Sequence, residues 1–98
     1  MYVVRDIFRC KPGRGRELIE KFKRTIPSTE REDGFRNSRI LVDVVADYWT
    51  VVFEAEFERL EQFEHHMNGY GSRPEVRAAM EGYMDLVDGG RREILKVV

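Results

Sequence analysis

The stretch Tyr48–Phe57, YWTVVFEAEF, decides the fold because its residues alternate between two unlike faces. Every second residue is apolar, which is typical of a β-strand with one buried face. The opposite face mixes apolar side chains with two glutamates, which indicates a second, more polar interface. The first face comprises Trp49, Val51, Phe53, Ala55 and Phe57, and the second comprises Tyr48, Thr50, Val52, Glu54 and Glu56.

The composition predicts one globular domain over residues 1–98, because 42% of the residues are hydrophobic. The net charge of −1 provides no overall field for nucleic acid or an anionic membrane. Arg5 and Asp6 interrupt the first apolar segment, so neither a signal peptide nor a membrane span is expected. A single cysteine, Cys10, excludes an internal disulfide and favours a cytoplasmic location.

The residues before this stretch predict a strand, a helix and a second strand. The helix has an apolar stripe of Leu18, Ile19, Phe22 and Ile26, and Pro27 is expected to end it. The polar segment 28–34 is then a connection. The predicted bounds are Tyr2–Cys10 for the strand, Arg14–Ile26 for the helix and Asn37–Val45 for the second strand.

The second half predicts two helical pieces and a last strand. The pair Ala46-Asp47 is short enough for a tight hairpin into the strand predicted at Tyr48–Phe57. Glycines on either side of Tyr70 interrupt the helical pattern, and Ser72 and Pro74 restart it. Asp88-Gly89-Gly90 is expected to stop that helix. The predicted bounds are Glu58–Asn68 and Ser72–Val87 for the helices and Arg91–Val98 for the strand.

The order β-α-β-β-α-β predicts an α+β, ferredoxin-like domain: a four-stranded antiparallel sheet with two helices on one face. The other face remains uncovered and carries too much apolar surface to stay wet. We therefore expect a homodimer that joins sheet face to sheet face. Glu54 and Glu56 are expected to pair with Arg39 or Arg5 within that contact.

Three segments carry a resemblance to a known family: Lys11–Arg14, Phe53–Glu64 and Gly90–Val98. In these the chain resembles the dimeric α/β-barrel superfamily, and within it the small NIPSNAP-like and antibiotic-biosynthesis-monooxygenase-like domains. The resemblance implies that two protomers share a β-barrel and that each has a cleft between helices and sheet. Relatives include cofactor-free monooxygenases of aromatic substrates, haem-degrading enzymes and stress-response proteins.

Functional residues of the relatives match this chain only in part. Haem-degrading relatives use an asparagine on the first strand, and Val3–Phe8 contains none. NIPSNAP-like relatives often carry an arginine and a tyrosine there; Arg5 matches the first, while Phe8 stands near the second without a hydroxyl. We expect a small apolar or aromatic ligand and no cofactor. The alternatives are a cofactor-free monooxygenase-like enzyme on an aromatic or polyketide-type substrate, a haem-binding or haem-degrading protein, and a structural dimer.

His66 is the candidate for acid–base chemistry. On a helical projection it lies about 80° from the centre of the apolar stripe, whereas His65 lies about 180° away and should be solvated. His66 can therefore look into a cleft, although an ordinary surface pair is the alternative. Glu61 and His65 are four residues apart but lack a third ligand, so no metal site is predicted.

Trp49, Tyr70 and Arg5 are the candidate ligand-binding residues. Trp49 begins the helix-facing row and either lines the cleft or packs at the sheet edge. Tyr70 lies between glycines, where it forms either a flap over the cleft or a simple helix kink. An RNA-binding role is disfavoured because Glu54 and Glu56 would repel phosphate on the uncovered face.

Overall fold

The chain forms four strands and three α-helices in a computed structural model that describes residues 1–98. No helix is both long and apolar enough to cross a membrane. Turns of 3₁₀ helix follow α2 at Tyr70–Ser72 and precede β4 at Tyr83–Leu86. The elements are β1 Tyr2–Cys10, α1 Gly15–Asp33, β2 Arg36–Val42, β3 Thr50–Phe57, α2 Leu60–Gly69, α3 Pro74–Met80 and β4 Val87–Lys96.

The strands form one antiparallel sheet in the order β2-β3-β1-β4. This is the ferredoxin-like α+β arrangement, so the predicted fold class is confirmed. The two central strands, β1 and β3, place Val4 opposite Ala55 and Asp6 opposite Phe53. Side chains of directly paired residues share a sheet face, so Asp6 lies on the same face as Phe53.

The helices cover one face of the sheet, and the core lies between them. The apolar row of β3 is buried there, with Val51, Phe53, Ala55 and Phe57 at most 5% exposed. From α1, Leu18 and Phe22 pack against this row. The alternation therefore predicted the buried face correctly for these four residues, whereas Trp49, placed in the same row by the sequence, lies outside β3 and is exposed.

The opposite face carries a buried carboxylate between two arginines. Glu54 accepts hydrogen bonds from Arg5 Nε at 2.6 Å and from Arg39 Nε at 2.5 Å, as the sequence predicted. The same prediction is wrong for Glu56, which accepts a hydrogen bond from Asn37 Nδ2 at 2.9 Å. The pairing of β2 with β3 and of β4 with β1 places Leu41 and Leu95 on this same face. Each of these two leucines is more than a third exposed. No element of the chain covers these residues.

The prediction that Pro27 ends the first helix is wrong, because α1 continues to Asp33 with the proline inside it. A proline within a helix removes one backbone hydrogen bond. The next turns are nevertheless held in place, because Ser28, Thr29 and Asp33 are buried. Gly34, at φ 71°, ends the helix in the left-handed conformation that favours glycine.

The predicted tight hairpin between β2 and β3 is also wrong. Strand β2 ends at Val42, and a connection of residues 43–49 leads to β3. Asp43 accepts a hydrogen bond from the Thr50 amide through its side chain, which closes this longer loop. Tyr48 and Trp49 have positive φ values of 57° and 54°, so they leave the strand pattern that the sequence indicated.

The last helix is shorter and the last strand longer than predicted. Helix α3 ends at Met80, and β4 begins at Val87, so the glycines at 89 and 90 belong to the strand and do not stop a helix. Gly90 is required there because a Cβ atom would lie 2.3 Å from the carbonyl oxygen of Ile7. Strands β1 and β4 therefore lie unusually close together at Gly90.

Candidate functional site

A cavity of about 500 Å³ opens between the helices and the sheet. Phe8 and Phe53 line it from the sheet and Phe22 from α1. The α2–α3 region contributes His66, Met67, Tyr70, Val76, Arg77 and Met80, and Asp6, Thr29, Tyr83 and Arg92 complete the wall from other elements. The cleft that the resemblance implied is therefore present and is mainly apolar.

His66 meets this cavity from α2 and is held by a buried carboxylate. Its side chain is 8% exposed, and its Nδ1 lies 2.7 Å from Oδ2 of Asp33. Because a carboxylate only accepts hydrogen bonds, we assign the proton to Nδ1. The other ring nitrogen, Nε2, then carries a free lone pair and has no hydrogen-bond partner within the protein.

Asp33 is ionised although its side chain is completely buried. Burial alone would raise the pKa of this carboxyl, but hydrogen bonds from Arg73 and His66 outweigh burial and hold the pKa below its ordinary value. Both terminal nitrogens of Arg73 donate to the carboxylate, and Nη1 also donates to Ser28 at 3.3 Å. Arg73 follows the glycine-rich turn, so this pairing ties the start of α3 to the end of α1.

His66 is neutral at neutral pH. Burial lowers the pKa of its imidazole, and the neighbouring Asp33 carboxylate opposes this effect without cancelling it. A neutral imidazole with one nitrogen bound to a carboxylate and the other free is the arrangement of a general base. The pair Asp33–His66 can therefore accept a proton from a molecule in the cavity.

Aromatic rings surround the imidazole. Its ring centroid lies 4.6 Å from that of Tyr70 and 4.9 Å from that of Phe35. Burial raises the pKa of the Tyr70 phenol, so this side chain remains protonated at neutral pH. The imidazole thus lies in a low-dielectric, aromatic environment.

Charged side chains lie at one side of the cavity. Arg92 forms an ion pair with Asp6, and its Nη1 lies 3.1 Å from Sδ of Met67. The guanidinium carbon also lies 5.4 Å from the ring centre of Phe63. A second cavity of about 400 Å³ adjoins the first and shares Asp6 and Arg92 with it.

A protein-family model matches most of the chain. The profile described as antibiotic biosynthesis monooxygenase matches residues 1–83. The chain belongs to the antibiotic biosynthesis monooxygenase family. Among proteins of curated function, none matches the sequence.

Solved structures share the fold at low sequence identity. An uncharacterised NIPSNAP-like domain protein from Burkholderia xenovorans is 19% identical with a TM-score of 0.80, covering 99% of this chain and 84% of that one. A NIPSNAP family protein from Agrobacterium tumefaciens is 15% identical with a TM-score of 0.82, covering 99% and 92%. A protein from Shewanella oneidensis is 23% identical with a TM-score of 0.72, covering 95% and 86%. At these identities the likeness shows the fold alone.

Within this antibiotic biosynthesis monooxygenase fold, two of the four candidate residues from the sequence come together. His66 and Tyr70 both line the cavity and are in ring contact. Trp49 does not line it; the residue lies outside β3 and is 47% exposed. Arg5 pairs with Glu54 on the opposite face of the sheet and does not line the cavity either.

Sequence reasoning missed Asp33 and Arg73, which position His66. Asp33 lies in segment 28–34, which the polar sequence after Pro27 predicts to be a connection. A signal was nevertheless present, because Thr25, Thr29 and Asp33 follow one another at intervals of four residues, the spacing of one helix face. No group of three or more His, Cys, Asp or Glu side chains lies in an arrangement that could hold a metal ion.

Proposed function

We propose that the protein binds a small hydroxylated aromatic molecule in the cavity and that the Asp33–His66 pair removes a proton from its hydroxyl group. One observation carries the proposal. His66, a neutral, buried histidine whose Nε2 has no hydrogen-bond partner in the protein, is one of the residues that line an aromatic-walled cavity.

The lining supports an aromatic ligand. The cavity volume of about 500 Å³ lies in the range of ordinary small-molecule sites, which are mostly apolar with a few polar groups. Phe8, Phe22, Phe53 and Tyr70 offer ring surfaces against which a planar molecule can stack or pack edge-on. Tyr70 is the candidate that both contacts His66 and lines the space for a ligand.

The proton transfer follows from the arrangement of the pair. The ligand hydroxyl donates to Nε2, its proton moves to this nitrogen, and a phenolate forms. The imidazolium that results is stabilised by Asp33, which already accepts from Nδ1. Asp33 in turn cannot rotate away, because Arg73 holds both of its oxygens.

The second candidate function is cofactor-free monooxygenation, which the family membership favours. A phenolate is more easily oxidised by dioxygen than the parent phenol. In a balanced reaction, one oxygen atom replaces the hydrogen on a ring carbon and the second leaves as water, so that phenol and O₂ give quinone and H₂O. The protein would supply binding, the base and exclusion of water.

The binding and proton-transfer proposal is tested with a naphthol whose phenolate absorbs at a longer wavelength than the phenol. We expect the wild type to bind it in calorimetry and to show the phenolate band at a lower pH than the free naphthol does. His66→Gln should bind without this shift, and the control His65→Gln, whose side chain is 62% exposed, should resemble the wild type. Absence of binding to the wild type, or an unchanged shift in His66→Gln, would contradict the proposal.

The same naphthol tests oxygenation. Dioxygen uptake should equal quinone formation in the wild type, and both should be lost in His66→Gln. Binding and deprotonation without dioxygen uptake would leave the protein as a binding protein and rule out oxygenation of this compound.

We further propose that two protomers associate through the uncovered sheet face. The exposed Leu41 and Leu95 and the already paired Glu54 support this, since apolar side chains and satisfied charges suit a buried contact. Light scattering should give twice the protomer mass of 11.6 kDa. Leu95→Asp should dissociate the dimer, whereas Met84→Asp, an exposed site outside the sheet, should not. A mass of one protomer for the wild type would contradict the proposal.

A further inference from the structure

The cavity has an excess positive charge. The residues of formal charge in its lining are Asp6, Arg77 and Arg92, while His66 is neutral. The charges of Asp6 and Arg92 offset each other, because these two side chains form an ion pair. The guanidinium of Arg77, which also lines the cavity, has no hydrogen bond or ion pair within the protein. The rest of the lining is mostly apolar, so it offers an added charge few other polar partners.

Arg92 adds a second donor in a fixed position. Its Nε pairs with Asp6, its Nη1 contacts the sulfur of Met67, and its plane lies over Phe63. These contacts leave Nη2 without a partner. A planar guanidinium whose orientation is fixed loses little freedom when it binds an oxygen of a ligand.

From this charge arrangement we propose that the ligand of the cavity is an aromatic acid whose carboxylate is bound by Arg77, with Arg92 as the second donor. A carboxylate is a suitable partner because guanidinium–carboxylate hydrogen bonds are charge-assisted and directional. It would neutralise the unpaired charge while the ring occupies the apolar part of the cavity. This proposal rests on the proposed function and specifies the class of its ligand.

The test compares a hydroxynaphthoate with the hydroxynaphthamide of the same substitution pattern, which has the same shape without the charge. Calorimetry at low salt should show the acid binding the wild type about tenfold or more tightly than the amide. Arg77→Gln should weaken binding of the acid by about tenfold and leave the amide unchanged. Arg77 is exposed and unpartnered, so this variant is expected to fold normally.

Two further variants complete the test. Arg16→Gln, an exposed arginine on α1 outside the cavity, should leave both affinities unchanged. Arg92→Lys keeps the charge but loses the planar donor, so it should weaken binding of the acid by a smaller factor than Arg77→Gln.

The outcomes separate this inference from the proposed function. Equal affinity of the wild type for acid and amide, or an acid affinity unaffected by Arg77→Gln, would overturn the carboxylate inference while aromatic binding stands. If neither compound binds, the proposed function itself fails and the inference fails with it.

Discussion

Two buried carboxylates, one on each side of the sheet, are each held by two basic side chains, but only one of them has a partner that can take up a proton at ordinary pH. Glu54 lies on the uncovered face between Arg5 and Arg39. Asp33 lies on the helix side between Arg73 and His66. Each has a pKa lowered by basic neighbours that outweigh burial. Each is therefore negatively charged at neutral pH, Asp33 on the helix side of the sheet and Glu54 on the uncovered face.

The partners make the difference. Both partners of Glu54 are arginines, which remain charged at all ordinary pH values. One partner of Asp33 is a histidine, whose second nitrogen is free beside a cavity. The first carboxylate can only hold two charges in place, whereas the second could stabilise a proton taken from a ligand, as we propose. A titratable partner and an adjoining cavity are what distinguish the Asp33 site from the Glu54 site.

Removing Asp33 should give the largest effect. Asp33→Ala leaves the nearly buried Arg73 without its anion, and loss of one member of a buried pair costs about 3–5 kcal/mol of unfolding free energy. Urea denaturation measures the loss. Arg73→Met, which leaves Asp33 with His66 and the exposed His65 at 3.7 Å, should be similarly destabilising. A loss below about 1 kcal/mol for Asp33→Ala would mean that the pair is a surface interaction.

Removing Glu54 should cost less in separated protomers. The side chains of Arg5 and Arg39 are 41% and 65% exposed, so water can solvate them once Glu54→Ala removes their partner. Solvent screening reduces such an interaction to about 1 kcal/mol or less. Denaturation at low protein concentration measures this value. Equal losses for Glu54→Ala and Asp33→Ala would remove the distinction between the two sites.

The pH dependence of stability should distinguish the Asp33 site, which contains a histidine, from the Glu54 site, which does not. The folded-state pKa of His66 is lowered, so the unfolded chain binds more protons, and stability should fall as pH drops below the ordinary histidine pKa of about 6.5. The lowered pKa values of Asp33 and Glu54 add losses only below their ordinary values of 3.8 and 4.5. Chemical denaturation across pH should show the first loss in wild type and not in His66→Gln. A loss near pH 6.5 that persists in this variant would assign it to another group.

The strand pattern made the uncovered-face site predictable. Alternation in β3 placed Glu54 opposite the buried row, and a pairing with Arg5 or Arg39 follows from adjacent strands. The helix-side site was only half predictable. The helical projection placed His66 at the edge of a cleft, but its carboxylate lies 33 positions away in sequence. Such a contact depends on how α1 and α2 pack, which local periodicity does not encode.

Local rules also failed at two particular residues. Pro27 is usually a helix end, yet burial of the following turn keeps it inside α1. Trp49 continued the alternation on paper, yet the hydrogen bond from the Thr50 amide to Asp43 closes a wider loop, and Trp49 takes a left-handed conformation. In both cases tertiary contacts outweighed the local preference.

The protonation state of His66 is the most direct test of the central claim that Asp33–His66 is a base facing a ligand cavity. Long-range ¹H–¹⁵N spectra of histidine side chains report which ring nitrogen carries the proton, and His65→Gln identifies the His66 signals. At neutral pH the proton should be on Nδ1, and Nε2 should be unprotonated and shift when hydroxynaphthoate is added. A proton on Nε2, or a doubly protonated ring at neutral pH, would contradict the account.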